Sequence, residues 1–240
     1  MTLGAAFTAL SYFTGIVVFY WSAKDRQFPL NKIFLLCVSG LLGGIIGAKL
    51  VRWIIDWQTF AHQPGAILDP QLGGRTIIGG IIFGWLAVEL AKMLMGIKRS
   101  TGDSFALALP AGEAVGRIGC FLNGCCYGIA ANVPWAVYQH EAWRHPTQLY
   151  SCAVAVSILA ILLYLRHKMP HEGDLFRLYL ILYGFSRFGL EFLRERTSIH
   201  WGLSTAQWIC LEIVAAMIVA FIIMNYRDIA EKVRGIEIGS

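Results

Sequence analysis

The sequence predicts an all-α, polytopic membrane protein with about seven transmembrane helices, and three observations carry that expectation. Apolar residues make up 57% of the 240, whereas Asp, Glu, Lys and Arg together make up 15%. A soluble domain carries about 25% charged residues, since water must be met by charge over much of its surface. The mean hydropathy is +0.59. The apolar residues also fall into runs near the length of about 20 residues needed to cross hydrocarbon, with basic residues gathered between the runs.

The expected spans are approximately Leu3–Ala23, Ile33–Ile55, Ile77–Ile97, Phe105–Leu122, Gln148–Leu165, Leu175–Leu193 and Ala206–Met224. The fourth and sixth carry charges. They are kept because discarding either leaves the loop charges inconsistent. Seven spans put Lys24, Arg26, Lys32, Lys98, Arg99, Arg166, Lys168, Arg227, Lys232 and Arg234 on one side, and Arg75, Arg144, Arg194 and Arg196 on the other. The richer side is cytoplasmic by the positive-inside rule, so the N-terminus is expected outside and the C-terminus inside. Residues Asp56–Thr76 and Asn123–Thr147 then form the longer outer loops, with Trp57, Trp135 and Trp143 suited to the interface.

Residues 1–240 read as a single integral membrane domain, in which 225–240 form a short cytoplasmic tail. Met1–Trp21 lacks a basic leader and a small-residue cleavage site, so it reads as the first span. The net charge of +5 sits in loop clusters rather than along a groove, which argues against a nucleic-acid partner. Cys37, Cys152 and Cys210 lie within apolar runs and read as small buried hydrophobes. Gly40, Gly43, Gly44 and Gly47 in the second span, with Gly79, Gly80 and Gly84 in the third, have the spacing of close helix–helix packing.

Ionisable groups within hydrocarbon cost about 2.5–3.5 kcal/mol each, so they face a partner or a wet cavity. Tyr183, Arg187 and Glu191 are spaced four apart and share a helix face, and Glu113 and Arg117 are likewise four apart. Arg117 opens a run, Gly116 to Gly128, with glycine at 116, 119, 124 and 128. Such a run predicts a helix broken at membrane depth, tolerated where it lines a cavity. A guanidinium there matches phosphate oxygens. His145-Pro146-Thr147-Gln148 opens the fifth span, with proline placed for a helix start; His145 could serve as base, ligand or anchor.

The Gly116–Gly128 run, the His145–Tyr150 run and the run Tyr183-Gly184-Phe185-Ser186-Arg187-Phe188-Gly189-Leu190-Glu191-Phe192 occur in the order seen in prolipoprotein diacylglyceryl transferases. The Asp69–Gly80 stretch also resembles that family. The resemblance implies a bacterial inner-membrane enzyme that transfers a diacylglyceryl group from phosphatidylglycerol to the cysteine thiol of a lipoprotein precursor, or to another thiol acceptor. By position it implies catalytic roles for Arg117, Arg187, Glu191, Tyr183 and His145; Cys125, near an arginine, is a candidate catalytic thiol by its own chemistry rather than by the resemblance. Arg117, Arg187, Asn123, Gly128 and Gln148 would bind substrate. No cofactor and no metal are expected.

The chain departs from the family pattern at Ile78, Cys120 and Cys125, where the family carries histidine, asparagine and glutamate. The phosphate-binding arginines are kept while polar groups suited to proton handling are replaced. Cys120, Cys125, Cys126 and His145 thus leave three readings open: small packing residues, thiol chemistry, or a Cys₃His metal site of unusual spacing. A non-enzymatic lipid-binding protein or a transporter is the reading from another class. A transporter would show inverted repeats, and the sequence has none that we can discern.

Overall fold

The computed structural model describes residues 3–55, 57–62, 77–195 and 199–238. The Asp69–Thr76 part of the family-like stretch, Arg75 and Arg196 lie outside the described residues, as does the side chain of Ile78. Eight helices are present among the described residues: α1 Leu3–Asp25, α2 Leu30–Ile55, α3 Trp57–His62, α4 Ile77–Leu94, α5 Gly102–Leu122, α6 Thr147–Leu165, α7 Asp174–Leu190 and α8 Thr205–Ile238. Apart from the six-residue α3, each falls on one of the seven predicted stretches. Five of them (α1, α2, α5, α6 and α8) are long and apolar enough to cross a membrane. Their outer faces expose large apolar side chains such as Phe13, Phe34, Tyr164 and Ile222. Water would not tolerate so much exposed apolar surface, and hydrocarbon favours it.

The chain divides into two compact units, Tyr20–Arg99 and residues 1–19 with 100–240, with the boundary inside α1. In the first unit α2 and α4 pack through their glycines. A Cβ on Gly47 would come within 2.2 Å of Phe83 Cβ and 2.5 Å of the Gly79 carbonyl. A Cβ on Gly43 would meet Ala87 Cβ at 2.4 Å. The glycine spacing therefore does what it predicts, letting backbones touch. Gly47→Val is expected to cost about 1–3 kcal/mol by overpacking, read as a lower thermal midpoint in detergent; an unchanged midpoint contradicts the pairing. Beyond α4 the chain is tied back by Lys32 Nζ on the Met95 carbonyl at 2.9 Å and by Arg99 Nη1 on the Arg26 carbonyl at 3.1 Å.

In the second unit α5, α6 and α7 enclose a core of Ala106, Leu107, Ile158, Leu162, Leu175 and Tyr179. The first half of α1 lies on α5 across Gly112, Gly116 and Gly119; a Cβ on Gly112 would sit 2.9 Å from the Ser11 carbonyl. Gly184 gives α7 its approach to α8, where Val214 Cγ2 would be 2.5 Å from an added Cβ. Buried Asp103 at the start of α5 accepts from the backbone N–H of Gly173 at 2.9 Å and of Phe176 at 3.2 Å. It thereby satisfies donors that the first turn of α7 cannot.

Three features depart from the sequence expectation. The sixth stretch does not stay α-helical to Leu193: α7 stops at Leu190 and a 3₁₀ turn, Glu191–Leu193, completes it. Helix α8 does not stop near Met224 but continues to Ile238, over a stretch whose Arg227–Glu231 and Asp228–Lys232 spacings favour helix. Two short hairpins interrupt an otherwise helical protein: β1 Val137–Gln139 with β2 Ala142–Arg144, and β3 Ile199–His200 with β4 Leu203–Ser204. Each turns on two residues of positive φ, His140-Glu141 and Trp201-Gly202, as a two-residue primed turn requires.

Candidate active site

Helix α5 is not broken at Gly116 or Gly119, contrary to the sequence expectation. Both glycines remain helical because their bare faces meet α1: an added Cβ on Gly119 would lie 3.1 Å from both the Gly4 carbonyl and Phe7 Cβ. The helix ends at Leu122, where Gly124 N–H bonds the Phe121 carbonyl and Cys125 N–H the Cys120 carbonyl, each at 3.1 Å. With Gly124 at φ +63°, this is the Schellman arrangement, which uses carbonyls the last turn leaves free. Arg117 consequently sits on a regular helix, more than a turn before its end.

Glu113 fixes Arg117. Its Oε1 accepts from Arg117 Nη2 at 2.7 Å and from Nε at 3.1 Å, leaving the Nη1 edge to other uses. On α7, Arg187 Nη1 lies 2.9 Å from Glu191 Oε2, with each side chain 11% exposed. That contact is out of hydrogen-bond alignment and acts as charge against charge. Glu191 is held from its far side: Oε1 accepts from Ser204 Oγ at 3.1 Å, and Arg194 Nε is 4.0 Å from Oε2. Ser204 is itself fixed by a reciprocal capping box at the start of α8. Gln207 N–H donates to Ser204 Oγ at 3.2 Å, and Ser204 N–H donates to Gln207 Oε1 at 2.9 Å; the Ser-x-x-Gln spacing is the sequence signature of that box.

Arg117 and Arg187 both line one small pocket between α5, α6 and α7. Glu113, Tyr183, Ser151 and Ser186 join them, and Val154, Ala155, Ile158 and Leu190 form an apolar wall. The two serine hydroxyls are committed to helix carbonyls, Ser151 to Thr147 at 2.8 Å and Ser186 to Leu182 at 2.6 Å. The cations and the Tyr183 hydroxyl are thus the groups turned to an anion. Two positive forks facing an apolar wall suit an amphiphile with an anionic head.

The other expected site residues gather in a second assembly and do not line that cavity. Thr147 Oγ1 donates to the Cys126 carbonyl at 2.9 Å, and fully buried Gln148 donates to the Cys125 carbonyl at 2.8 Å and to Gln139 Oε1 at 3.2 Å. The opening of α6 therefore braces the glycine-rich turn. Gly128 is pinched where three segments meet: a Cβ there would lie 2.6 Å from the His145 carbonyl and 2.7 Å from that of Leu193. Asn123 caps α5 and presses on Gly4 of α1. His145 Nδ1 is 3.1 Å from Tyr150 Oη, which accepts from Trp135 Nε1 at 2.6 Å. Arg144 ties the assembly together, donating to the carbonyls of Gln139 and Gly128, pairing with Glu195 at 3.1 Å and lying over the Tyr127 ring.

Sequence reasoning missed Arg144, Arg194, Ser204 and Gln207 as members of these networks. Only the capping box left a recognisable local signal. Cys120, Cys125 and Cys126 bring their sulfurs within 4.8 Å of one another, whereas His145 is turned to Tyr150. The Cys126 thiol is pulled down to about 5, first by a hydrogen bond from Cys120 and then by the charges of Arg194 and Arg117 against the opposing effect of burial. Burial pushes its neighbour Cys125 up. In chelator-washed protein, Cys126 is therefore expected to react with iodoacetamide at an undiminished rate at pH 7, falling only as pH drops through about 5. Mass-spectrometric mapping would read this; a midpoint at the ordinary thiol value, about 8.5, contradicts it.

The bundle and its pocket define a multi-pass helical membrane protein in which two largely covered guanidiniums, those of Arg117 and Arg187, line one pocket beside an apolar wall. The chain belongs to the prolipoprotein diacylglyceryl transferase family, whose model matches residues 4–223. It is 32% identical to the phosphatidylglycerol–prolipoprotein diacylglyceryl transferase of Clostridium tetani, over 92% of each chain. It is 31% identical to that of Finegoldia magna, over 88% of this chain and 86% of the relative. Against the Idiomarina loihiensis protein of the same name, identity is 30% over 91% of this chain and 84% of the relative.

Proposed function

We propose that this chain transfers the diacylglyceryl group of phosphatidylglycerol to a cysteine thiol of a lipoprotein precursor. The observation that carries the reading is the common cavity of Arg117 and Arg187, each guanidinium set by its own glutamate. Relatives named for this reaction over nearly the whole chain support it. The residues act from the bacterial inner membrane, within a single domain of residues 1–240 whose seven long helices all span. The N-terminus is outside, and the charged end of α8 is cytoplasmic.

In the reaction, the acceptor thiol gives up its proton, which ends on the departing glycerol phosphate, and its sulfur attacks the lipid glycerol carbon that bears the phosphate. The S–C bond forms as the C–O bond breaks, and the electron pair stays on the phosphate oxygen of departing glycerol phosphate. Arg117 and Arg187 hold the phosphate and stabilise that developing charge, which is worth most in a water-poor site. Glu191 and Tyr183 orient Arg187, and the apolar wall receives the start of the acyl chains. His145, Cys125, Asn123, Gly128 and Gln148 form the assembly that receives the acceptor and shapes the approach to the phosphate.

The test is to incubate purified protein with labelled phosphatidylglycerol and a peptide carrying a lipobox cysteine. The expected product is a diacylglyceryl thioether with stoichiometric glycerol phosphate. Absence of thioether, with the lipid still bound, removes the transferase reading.

A further inference from the structure

We propose that Cys120, Cys125 and Cys126 form a binding site for one Zn²⁺ per chain, with three thiolate ligands and a fourth, exchangeable position. The inference shares Cys125 with the acceptor-side assembly of the transferase reading, but it rests on the geometry of three sulfurs that lie outside the arginine pocket. The three sulfurs lie within 4.8 Å of one another. Thiolates around Zn²⁺ at about 2.3 Å in a tetrahedron stand about 3.8 Å apart. The widest pair therefore needs to close by only about 1 Å, within the reach of χ1 adjustments that leave the backbone in place.

The turn that ends α5 is what gathers the three cysteines. Six residues from Cys120 to Cys125 are closed by the Cys125 N–H to Cys120 carbonyl bond at 3.1 Å. Cys126 is then turned back by a left-handed conformation, φ +59°, which costs a non-glycine residue free energy. Thr147 and Gln148 hold that conformation by taking the carbonyls of Cys126 and Cys125. A turn of this kind ordinarily uses glycine or asparagine. Here the strained position carries a soft metal ligand, next to a second one in sequence and a third in space.

The sulfurs are also reachable. Cys125 is exposed and Cys120 and Cys126 are partly exposed, whereas Cys210 is buried. The two nearby imidazoles are engaged elsewhere, His145 Nδ1 with Tyr150 and His140 Nε2 with the Gly124 carbonyl at 2.7 Å. No fourth His, Cys, Asp or Glu among the described residues joins the three sulfurs. Three protein ligands and an open position are the pattern of zinc sites that accept an exogenous ligand, and thiolate sulfur selects such soft ions over Mg²⁺ or Ca²⁺. The proposal departs from the sequence expectation of no metal: of the Cys₃His set weighed there, it uses the three sulfurs and not His145.

The test uses full-length protein in detergent, reduced with a phosphine and loaded with Zn²⁺ or Co²⁺. Metal analysis after desalting is expected to give roughly one equivalent in the wild type and at least about tenfold less in the Cys120→Ser/Cys125→Ser/Cys126→Ser variant. The Co²⁺ form should show thiolate-to-metal charge-transfer absorption that shifts when a small thiol is added. A second measurement needs no variant. Zn²⁺ should protect these three cysteines from iodoacetamide in the wild type while leaving Cys37 and Cys152 at their metal-free rates. Equal metal in both proteins, no charge-transfer band, a band indifferent to added thiol, or alkylation unaffected by Zn²⁺ would each overturn the proposal. None of these readouts depends on lipid turnover, so failure here and failure of the transferase reading are separable.

Discussion

Arg117→Ala is expected to lower diacylglyceryl transfer by about 10²–10³-fold or more, the cost of deleting a donor aimed at developing charge in a closed site. Arg187→Ala should do the same, because both guanidiniums line one cavity. Lysine is a poor substitute at either position, since a point charge cannot make the two-pronged contact of a fork with phosphate. Each alanine variant also strands a glutamate, so lost activity could merely report an unsettled bundle. The double variant Glu113→Gln/Arg117→Ala separates the two effects. It removes the unpaired charge along with the cation, so its thermal midpoint should recover toward wild type while transfer stays at the level of Arg117→Ala. If transfer by either single alanine variant equals wild type, or recovers fully in the double variant, the arginines are not the phosphate clamp.

The helices were legible from the sequence to a degree that follows from their physics. A segment that must satisfy its backbone internally and face hydrocarbon carries its own signal in hydropathy and length, so the onset of α1, α2, α4 and α6 could be placed within a few residues. The charged α5 and α7 were also legible, because Glu113–Arg117 and Tyr183–Arg187–Glu191 each keep to one helical face. The hairpins were not. Their strands have two or three residues, too few for an alternating pattern, and His140-Glu141 lacks the usual glycine of a primed turn. The glycine-rich run misled because one residue type served three purposes: helix contact at Gly116 and Gly119, helix termination at Gly124, and a three-segment crossing at Gly128. The cavity itself depends on which helices pack together, and that information resides in no single segment. Similarly, the spacing of Cys120, Cys125 and Cys126 gave weak grounds for a cluster until the turn geometry closed it.

Glu191→Ala is expected to give the largest loss of stability among substitutions in the site, about 3–5 kcal/mol, because removing one member of a buried ion pair leaves the other charge without compensation. The residue is 8% exposed and organises three elements: Arg187 on α7, Arg194 beyond the 3₁₀ turn, and Ser204 at the cap of α8. Two positive groups would be left facing each other across the space it vacates. Glu191→Gln keeps an acceptor for Ser204 but not the charge, so it should fall between wild type and alanine in thermal midpoint. Transfer should fall with both, since Arg187 loses its orienting partner. The double variant Arg187→Met/Glu191→Met provides the discriminating measurement. An apolar pair of similar volume can replace a buried ion pair at little cost, so the double variant should be more stable than either single methionine variant while remaining inactive. Strictly additive destabilisation in that cycle would mean that the two side chains do not interact, and Glu191 could not then be what holds Arg187 toward the phosphate.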